Sequence, residues 1–228
     1  SGQRYGEIWG TKFLRVEDPT SADYGKLILT ANGLPQVAQG FHRLGNQQAT
    51  GLLGVGNAFK YKGLTFSVLV DARFGGKIYS GTNNAMQYSG NAAVTAENGR
   101  QDMVLEGVVG NATDGYTANT ASITAQQYWE TVTSTGNLGI VEANLYDASN
   151  IRIRNMQLGY NLPSSFLAKT PFQRAKVGVT CNNVLLLKSH LNGVDPESVF
   201  ATGTNAVGFE NFSPPTSRTV LFNITLGF

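Results

Sequence analysis

The sequence predicts an all-β fold, an antiparallel segment of a transmembrane β-barrel with about six long strands and long extracellular loops. Charged residues make up only 14% of the 228 residues, whereas soluble domains carry roughly 25%. Large apolar residues alternate with small or polar ones in several runs, which is typical of strands with one apolar and one polar face. No run approaches the ~20 apolar residues of a membrane helix, so strands would have to cross the bilayer.

The final stretch, residues 218–228, alternates most clearly. Its large apolar residues of one parity are Val220, Phe222, Ile224, Leu226 and Phe228. Strands of membrane barrels present an apolar face to lipid and carry aromatic residues at both membrane interfaces. We therefore expect this strand to end at a membrane interface. A soluble edge strand is the alternative.

The first three upstream strands are predicted at residues 2–16, 53–61 and 64–74. Residues 2–16 are rich in β-forming residues and are interpreted as one strand with a glycine-interrupted start. The other two runs both alternate and are separated by Lys62 and Gly63. They should form a β-hairpin with a tight turn and one continuous apolar face.

Two more strands are predicted at residues 151–162 and 172–187. In the first of them the apolar residues change parity near Asn155. This shift indicates either a β-bulge or a segment above the membrane. The second resumes a regular alternation, in which Cys181 takes an apolar position. As the single cysteine of the chain, Cys181 cannot form an internal disulfide.

The connections alternate between long and short, which predicts an orientation. Residues 17–50, 76–149 and 188–217 are long connections, whereas 62–63 and 163–171 are short. Antiparallel strands alternate in direction, so all long connections should emerge on one side, and external loops of outer-membrane barrels are the long ones. We expect the C-terminus to lie in the periplasm and the long loops outside the cell.

The longest connection, residues 76–149, lacks periodicity and is rich in Gly, Asn, Thr and Ala. One helix is predicted at 123–132, with Ser122 as its N-cap. A connection of this length is uncommon in a compact domain unless it is functional. Its candidate ligand or partner contacts are aromatic: Tyr79, Tyr88, Tyr116, Tyr128 and Trp129. These rings could stack on sugars, or they could pack the loop against itself or against a partner protein.

No constellation for catalysis, metal binding or a cofactor is predicted. The two histidines, His42 and His190, lie in or next to loops without the clustered spacing of a metal site. The glycines at positions 54 and 56 are not followed by a helix, so a nucleotide-binding motif is rejected. The net charge of +2 carries no nucleic-acid signature, and no nucleic-acid partner is expected.

Several motifs along the chain resemble one family. They are YKGLTFSVLVD at 61–71, FGGKIYSGTN at 74–83, YDASNIRIRN at 146–155, LGYNLP at 158–163, GVDPE at 193–197, and PPTSR at 214–218 before a terminal strand that ends in Phe. In this order and spacing they resemble the late barrel of SusC/RagA-type TonB-linked outer-membrane receptors. The resemblance spans nearly the whole chain.

The resemblance implies a barrel of about 22 strands, closed by an N-terminal plug and coupled to the TonB complex through a TonB box. It also implies a SusD-like surface lipoprotein as a lid, and oligosaccharides or peptides as cargo. Residues 1–228 would then be the C-terminal part of the barrel, with 76–149 as a long extracellular loop. The plug and the remainder of the barrel are expected outside this chain, so import is assigned to the parent protein.

The resemblance further implies that the terminal strand, from Val220 to Phe228, is the recognition signal for barrel assembly. The charged residues expected to point into the lumen are Asp71, Arg73, Arg152, Arg154, Arg174 and Lys176. They would contact the plug or anionic cargo, or they would pair with one another across neighbouring strands. The alternative function, from another class, is a soluble β-sandwich that serves as a binding or adhesion module.

Overall fold

A computed structural model describes residues 2, 4–134, 139–200, 203 and 206–228. The strands are, in chain order, β1 Glu7–Gly10, β2 Ile28–Leu29, β3 His42–Asn46, β4 Gly51–Tyr61, β5 Leu64–Phe74, β6 Lys77–Ser80, β7 Met103–Val104, β8 Val108–Asn111, β9 Gly115–Ala118, β10 Ser122–Ile123, β11 Leu145–Asp147, β12 Asn150–Asn161, β13 Arg174–Ser189, β14 Phe209–Glu210 and β15 Thr219–Gly227. The α-helices are α1 Gly81–Tyr88, α2 Ala125–Ser134 and α3 Ser164–Leu167, and 3₁₀ turns lie at Ala93–Arg100 and Val141–Asn144.

The chain divides into two compact units. One, the sheet unit, comprises Ala49–Gly76, Asp147–Ser198 and Pro214–Phe228. The other, the loop unit, comprises Ser1–Gln48, Lys77–Tyr146 and Val199–Ser213. None of the helices in the described residues is both long and apolar enough to cross a bilayer.

The sheet unit is one five-stranded antiparallel sheet in the order β15-β13-β12-β5-β4. The predicted hairpin is confirmed, because β4 and β5 pair along their whole length up to Tyr61 opposite Leu64. Lys62 and Gly63 have φ values of 44° and 86°. Positive φ at both central residues is what the two-residue type I′ turn requires, and glycine adopts it at little cost.

The predicted bulge is also confirmed. The pairing of β12 with β5 shifts register between Ile153 and Asn155. Ile153 lies opposite Val70 and Met156 lies opposite Val68, so the extra residue returns the apolar side chains of β12 to a single face. A bulge has this effect because side chains alternate with a period of two.

The prediction of a long strand at residues 2–16 is wrong. Among the described residues of this stretch, which leave out residue 3, only Glu7–Gly10 forms a strand, and it pairs with β3 in a separate two-stranded sheet. Beyond it, Phe13 and Arg15 make only isolated bridges. Gly6 has a φ of +81°, and a Cβ at Gly10 would lie 2.8 Å from Val141. Gly6 thus allows a bend in the chain, and Gly10 allows close contact with Val141. The described residues contain five long strands instead of the predicted six.

The predicted helix exists, but the assignment of its N-cap to Ser122 is wrong. Ser122 lies in β10, and α2 begins at Ala125. The side chain of Thr124 accepts a hydrogen bond from the Gln127 backbone N–H at 3.1 Å, and the Gln127 side chain accepts one from the Thr124 N–H at 2.9 Å. This reciprocal pair is a capping box, which satisfies two backbone donors that the helix cannot satisfy itself.

The loop unit is folded despite its lack of sequence periodicity. Its core includes Val16, Ile28 and Val108, on which Tyr116 packs. The buried carboxylate of Glu210 accepts hydrogen bonds from the hydroxyls of Ser80 at 2.7 Å and Thr82 at 2.5 Å, which joins β14 to the start of α1. The predicted loops also contain residues 135–138, 201–202 and 204–205, which lie outside the described residues.

Candidate functional site

One face of the five-stranded sheet, here called the apolar face, carries the alternating apolar side chains of all five strands. Register places Val177 between Tyr160 and Ile224, and Val70 between Val55 and Ile153. Ile224 is 72% exposed and Phe222 is 84% exposed. Among the described residues, none of the buried apolar side chains belongs to a long strand of this sheet. Soluble monomers rarely expose a continuous apolar patch larger than a few hundred Å², so this face requires a partner phase or a partner surface.

The predicted assembly signal lies on this face. Four of its residues are exposed members of β15, at Val220, Phe222, Ile224 and Leu226. Phe228 follows the strand, and its ring lies 5.1 Å from that of Phe172. The last strand thus presents an apolar row with no described side chains covering it.

Aromatic rings collect at one end of the apolar face. Phe59 stacks on Phe66 at 6.4 Å, and Tyr61 lies at the adjacent hairpin end. Tyr160 pairs with Leu64 in the same region. Phe172 and Phe228 also lie at the end of the sheet where the connections are short. This distribution matches an aromatic girdle at one membrane interface.

The opposite face of the sheet, here called the polar face, is lined by small and polar groups. A shallow recess of about 250 Å³ is bounded there by hydroxyl, amide and glycine positions, including Thr65, Gln157, Gly178 and Asn223. The stem of Lys176 lies over Gly159, where a Cβ would approach it to 2.9 Å. Arg174 and Lys176 are both exposed on this face.

Three of the six predicted lumen-facing residues meet in one ionic cluster, here called the clasp: Asp71, Arg152 and Arg154, joined by Asp195, Glu197 and Thr216. Arg152 is 3% exposed and contacts Asp195 at 2.5 Å and the Thr216 hydroxyl at 2.6 Å. Arg154 contacts Asp71 at 2.8 Å and holds both oxygens of Glu197 at 2.6 and 2.8 Å. The clasp thus attaches the connection between β13 and β15 to strands β5 and β12.

Asp195 is held in its ionised form. Desolvation by burial opposes ionisation, but hydrogen bonds from Thr216, the Glu197 backbone N–H and Arg152 outweigh it, so the pKa of Asp195 lies below its ordinary value. Sequence reasoning missed Asp195 and Glu197 as partners of the arginines. The available signal was charge complementarity between GVDPE at 193–197 and the two arginines of β12.

The remaining charged candidates are Arg73, Arg174 and Lys176, of which Arg174 and Lys176 are exposed. Arg73 lies on β5 opposite Leu52 and Asn150. Arg174 opens β13 opposite Gly227, near the C-terminus. The alternation in the sequence therefore predicts the face on which the charged residues lie, but it does not predict which of them form ion pairs.

The five aromatic candidates of the loop unit divide by exposure. Tyr79 is buried and stacks on Phe209 at 5.7 Å, and desolvation raises the pKa of its hydroxyl to about 12. Tyr116 packs on the core, and burial raises the pKa of Tyr128. Tyr88, which is 57% exposed, and Trp129 border one cleft of about 460 Å³. Only this last pair combines access to solvent with a shared concave site.

Among the described residues, no group of three or more His, Cys, Asp and Glu side chains is arranged to hold a metal ion.

Comparison with known proteins gives relatives of one kind. No protein-family profile matches the chain. TonB-dependent receptor P3 of Formosa agariphila is 28% identical over 181 residues, and TonB-dependent receptor P39 of the same organism is 24% identical over 176 residues. Each match covers 77% of this chain and 16% of the relative. The chain therefore spans about a sixth of the length of these curated relatives.

Solved structures share the fold. The RagAB peptide importer in its closed-closed state matches with a TM-score of 0.58 and 16% identity, over 97% of this chain and 23% of the importer chain. The RagAB peptide transporter matches with a TM-score of 0.55 at the same identity and coverage.

Proposed function

We propose that this chain, which is a portion of a TonB-dependent receptor, forms part of an outer-membrane barrel through which nutrients bound at the cell surface are imported. The observation that most strongly supports this proposal is the uncovered apolar face of the five-stranded sheet, on which Ile224 is 72% exposed. A soluble β-sandwich would bury that face under a second sheet. In a bilayer, hydrocarbon tails cover the same side chains, and the polar face looks into the lumen.

The unpaired edges of the sheet support a larger closed barrel. Among the described residues, β4 pairs only with β5 and β15 pairs only with β13. Backbone polar groups at an open edge cannot be left unsatisfied in lipid, so spanning sheets close on themselves. Five strands cannot do so, because the smallest single-chain barrels have about 8. The complete barrel would have about 22 strands, and the strands beyond these five would come from the rest of the receptor.

The lengths of the connections support one orientation. The turn at 62–63, the connection at 162–173 and the C-terminus lie at the end of the sheet that carries the aromatic rings. We assign this end to the periplasm. The predicted long loops, residues 76–149 and 188–217, would then lie outside the cell, where the binding vestibule and the contact with a SusD-like lipoprotein would form.

Import is a property of the complete receptor. An N-terminal plug would close the lumen, and TonB would supply energy through it. The relatives are named receptors, and the structural neighbours are named an importer and a transporter, so transport is favoured over catalysis. The cargo class is an oligosaccharide or a peptide, as for the family that the motifs resemble.

The test is the behaviour of the full-length parent protein. We expect it to fractionate with the outer membrane, to require detergent for extraction, and to migrate faster on a gel before boiling than after it. A parent protein that stays soluble and monodisperse in buffer without detergent would contradict the proposal and favour the β-sandwich.

A further inference from the structure

The loop unit contains a cleft that the barrel architecture does not require. It lies among the end of α1, the 3₁₀ turns Ala93–Arg100 and the start of α2, and its volume is about 460 Å³. Small-molecule sites typically have volumes of about 300–1,000 Å³. The residues that line it include two aromatic residues, Tyr88 and Trp129, and three ionisable ones, Arg100, Asp102 and Glu130.

The walls of this cleft are fixed by hydrogen bonds. Arg100 donates from its guanidinium to the Gly90 carbonyl at 2.8 Å, which draws the two ends of this segment together. Thr95 donates to the same carbonyl at 3.0 Å. On the facing wall, the capping box fixes the first turn of α2, and Gln126 donates to Glu130 at 2.7 Å. A ligand would therefore meet preformed walls, which lowers the entropic cost of binding.

Polar groups at the cleft remain available to a ligand. Within the part of the chain that the structure describes, the Asp102 carboxylate, the Tyr88 hydroxyl and the Trp129 indole N–H make no hydrogen bond. A carboxylate only accepts, an indole N–H only donates, and a phenol does both. The cleft thus offers acceptors and donors within one small volume, beside two aromatic rings.

This combination selects among ligand classes. Two carboxylates against one guanidinium disfavour a phosphate or another polyanion. A purely apolar ligand would desolvate these polar groups without replacing their hydrogen bonds, which is costly. Sugar hydroxyls both donate and accept, while the C–H faces of a sugar ring are apolar and pack on aromatic rings.

We propose that this cleft is a binding subsite for a neutral oligosaccharide, in which Trp129 and Tyr88 supply the stacking surface. Asp102 accepts hydrogen bonds from sugar hydroxyls, and the guanidinium of Arg100 holds the wall opposite α2. The inference rests on the proposed import function, because it names the class of nutrient that the loop unit would hold. Peptide binding is the competing outcome.

The experiment uses the full-length receptor purified in detergent. It is screened on an array of neutral oligosaccharides built from hexoses and N-acetylhexosamines, from disaccharides to octasaccharides, and on an array of short peptides. The best oligosaccharide is then titrated by calorimetry into the receptor and its variants. Buried aromatic residues at the centre of a binding site are the contacts whose truncation costs most, so we expect Trp129→Ala to weaken binding by about tenfold or more.

Further variants separate binding from folding. Tyr88 and Asp102 are exposed, so Tyr88→Ala and Asp102→Asn remove contacts without opening the core, and both should weaken binding. Tyr24→Ala is the control, because Tyr24 is 60% exposed in the same unit and does not border the cleft. It should bind as the wild type does.

Three outcomes overturn the inference: no oligosaccharide binds, all three cleft variants bind as tightly as the Tyr24→Ala control, or only peptides bind. The heat-modifiable gel shift of each variant reports on the barrel independently. A receptor that keeps this shift but binds no oligosaccharide refutes the subsite alone. Loss of the shift in the wild type refutes the proposed function.

Discussion

Removal of Arg152 should release the connection between β13 and β15 and destabilise the assembled receptor. Arg152→Ala breaks contacts at 2.5 Å to Asp195 and at 2.6 Å to Thr216, and the Arg152 side chain is only 4% exposed. Breaking one partner of a buried pair typically costs about 3–5 kcal/mol, because the other charge stays buried without compensation. Asp195 keeps hydrogen bonds from Thr216 and from the Glu197 N–H, so we expect the lower part of that range, about 3 kcal/mol.

The other arginine of the clasp should matter less. Arg154 makes more contacts, but it is about a third exposed, as are Asp71 and Glu197. Exposed pairs contribute only about 0–1 kcal/mol each, so Arg154→Ala should cost about 1–2 kcal/mol. Arg174→Ala is the matched control, since Arg174 lies exposed on the same face outside the clasp. The expected order of destabilisation is Arg152, then Arg154, then Arg174.

The assay measures the temperature at which the fast-migrating folded form of the full-length receptor disappears from unboiled gels. Limited proteolysis at neutral pH reports cleavage within residues 190–217 separately. The reasoning is refuted if Arg152→Ala lowers the transition temperature no more than Arg174→Ala does and leaves residues 190–217 equally protected. A double mutant of Arg152 and Asp195 should lose less than the sum of the single losses, because the two residues are in direct contact.

Three further predictions concern pH, the two faces of β15 and the cap of α2. Desolvation raises the pKa of Asp195, but hydrogen bonding outweighs it and holds the folded pKa below the unfolded value near 3.8. The carboxylate therefore stabilises the clasp above the unfolded pKa. It loses this effect as the pH falls through the folded pKa. Proteolysis of residues 190–217 by an acid-active protease should rise below about pH 4 in the wild type. The rise should be smaller in Asp195→Asn, in which Asp71 and Glu197 are the remaining carboxylates of the clasp. Ile224→Lys should reduce the stability of the barrel by about 2–4 kcal/mol, the cost of a lysine facing lipid near the bilayer midplane. Asn223→Lys changes the neighbouring residue on the opposite face and should assemble normally. Equal yields of heat-modifiable protein from both variants would contradict the assignment of the faces. Thr124→Ala should destabilise α2 by about 1 kcal/mol, seen as faster amide exchange there than in Thr113→Ala, and unchanged exchange would argue against the cap.

The sheet could be predicted from sequence because each strand carries its own pattern. The alternation in 64–74 and 218–228 identifies both faces without knowledge of the neighbours, and Lys62-Gly63 provides a recognisable turn. The parity change near Asn155 even locates the bulge. These are local signals with a period of two, and register then follows from matching apolar faces.

The first predicted strand failed because local propensity was overridden by tertiary contacts. Residues 2–16 contain β-forming residues, but Gly6 adopts a positive φ and Gly10 lies against Val141 from a distant part of the chain. Propensity for strands depends strongly on such context. The capping box of Thr124 and Gln127 was readable from sequence, yet Ser122 offered an equally acceptable cap two residues earlier.

The candidate sites could be predicted only in part. The alternation of the strand predicts that Arg152 and Arg154 lie on its polar face. Their partners, Asp195 and Glu197, are 43 residues away in a connection without periodicity, so the pairing could not be predicted. For the same reason the sequence cannot separate Tyr79, which is buried against Phe209, from Tyr88, which is exposed at the cleft. Long-range packing decides both, and it leaves no period in the sequence.

Lipid contact of the apolar face is tested most directly by spin labels in β15. Single cysteines at positions 223 and 224, introduced into the full-length receptor after Cys181→Ser, are labelled with a nitroxide and reconstituted into bilayers. The label at 224 should collide with oxygen, which concentrates in hydrocarbon, and be shielded from a water-soluble nickel chelate, while the label at 223 should show the reverse preference. Chelate access at 224 equal to that at 223 would mean that water covers this face, and low access of both reagents at 224 would mean that protein covers it.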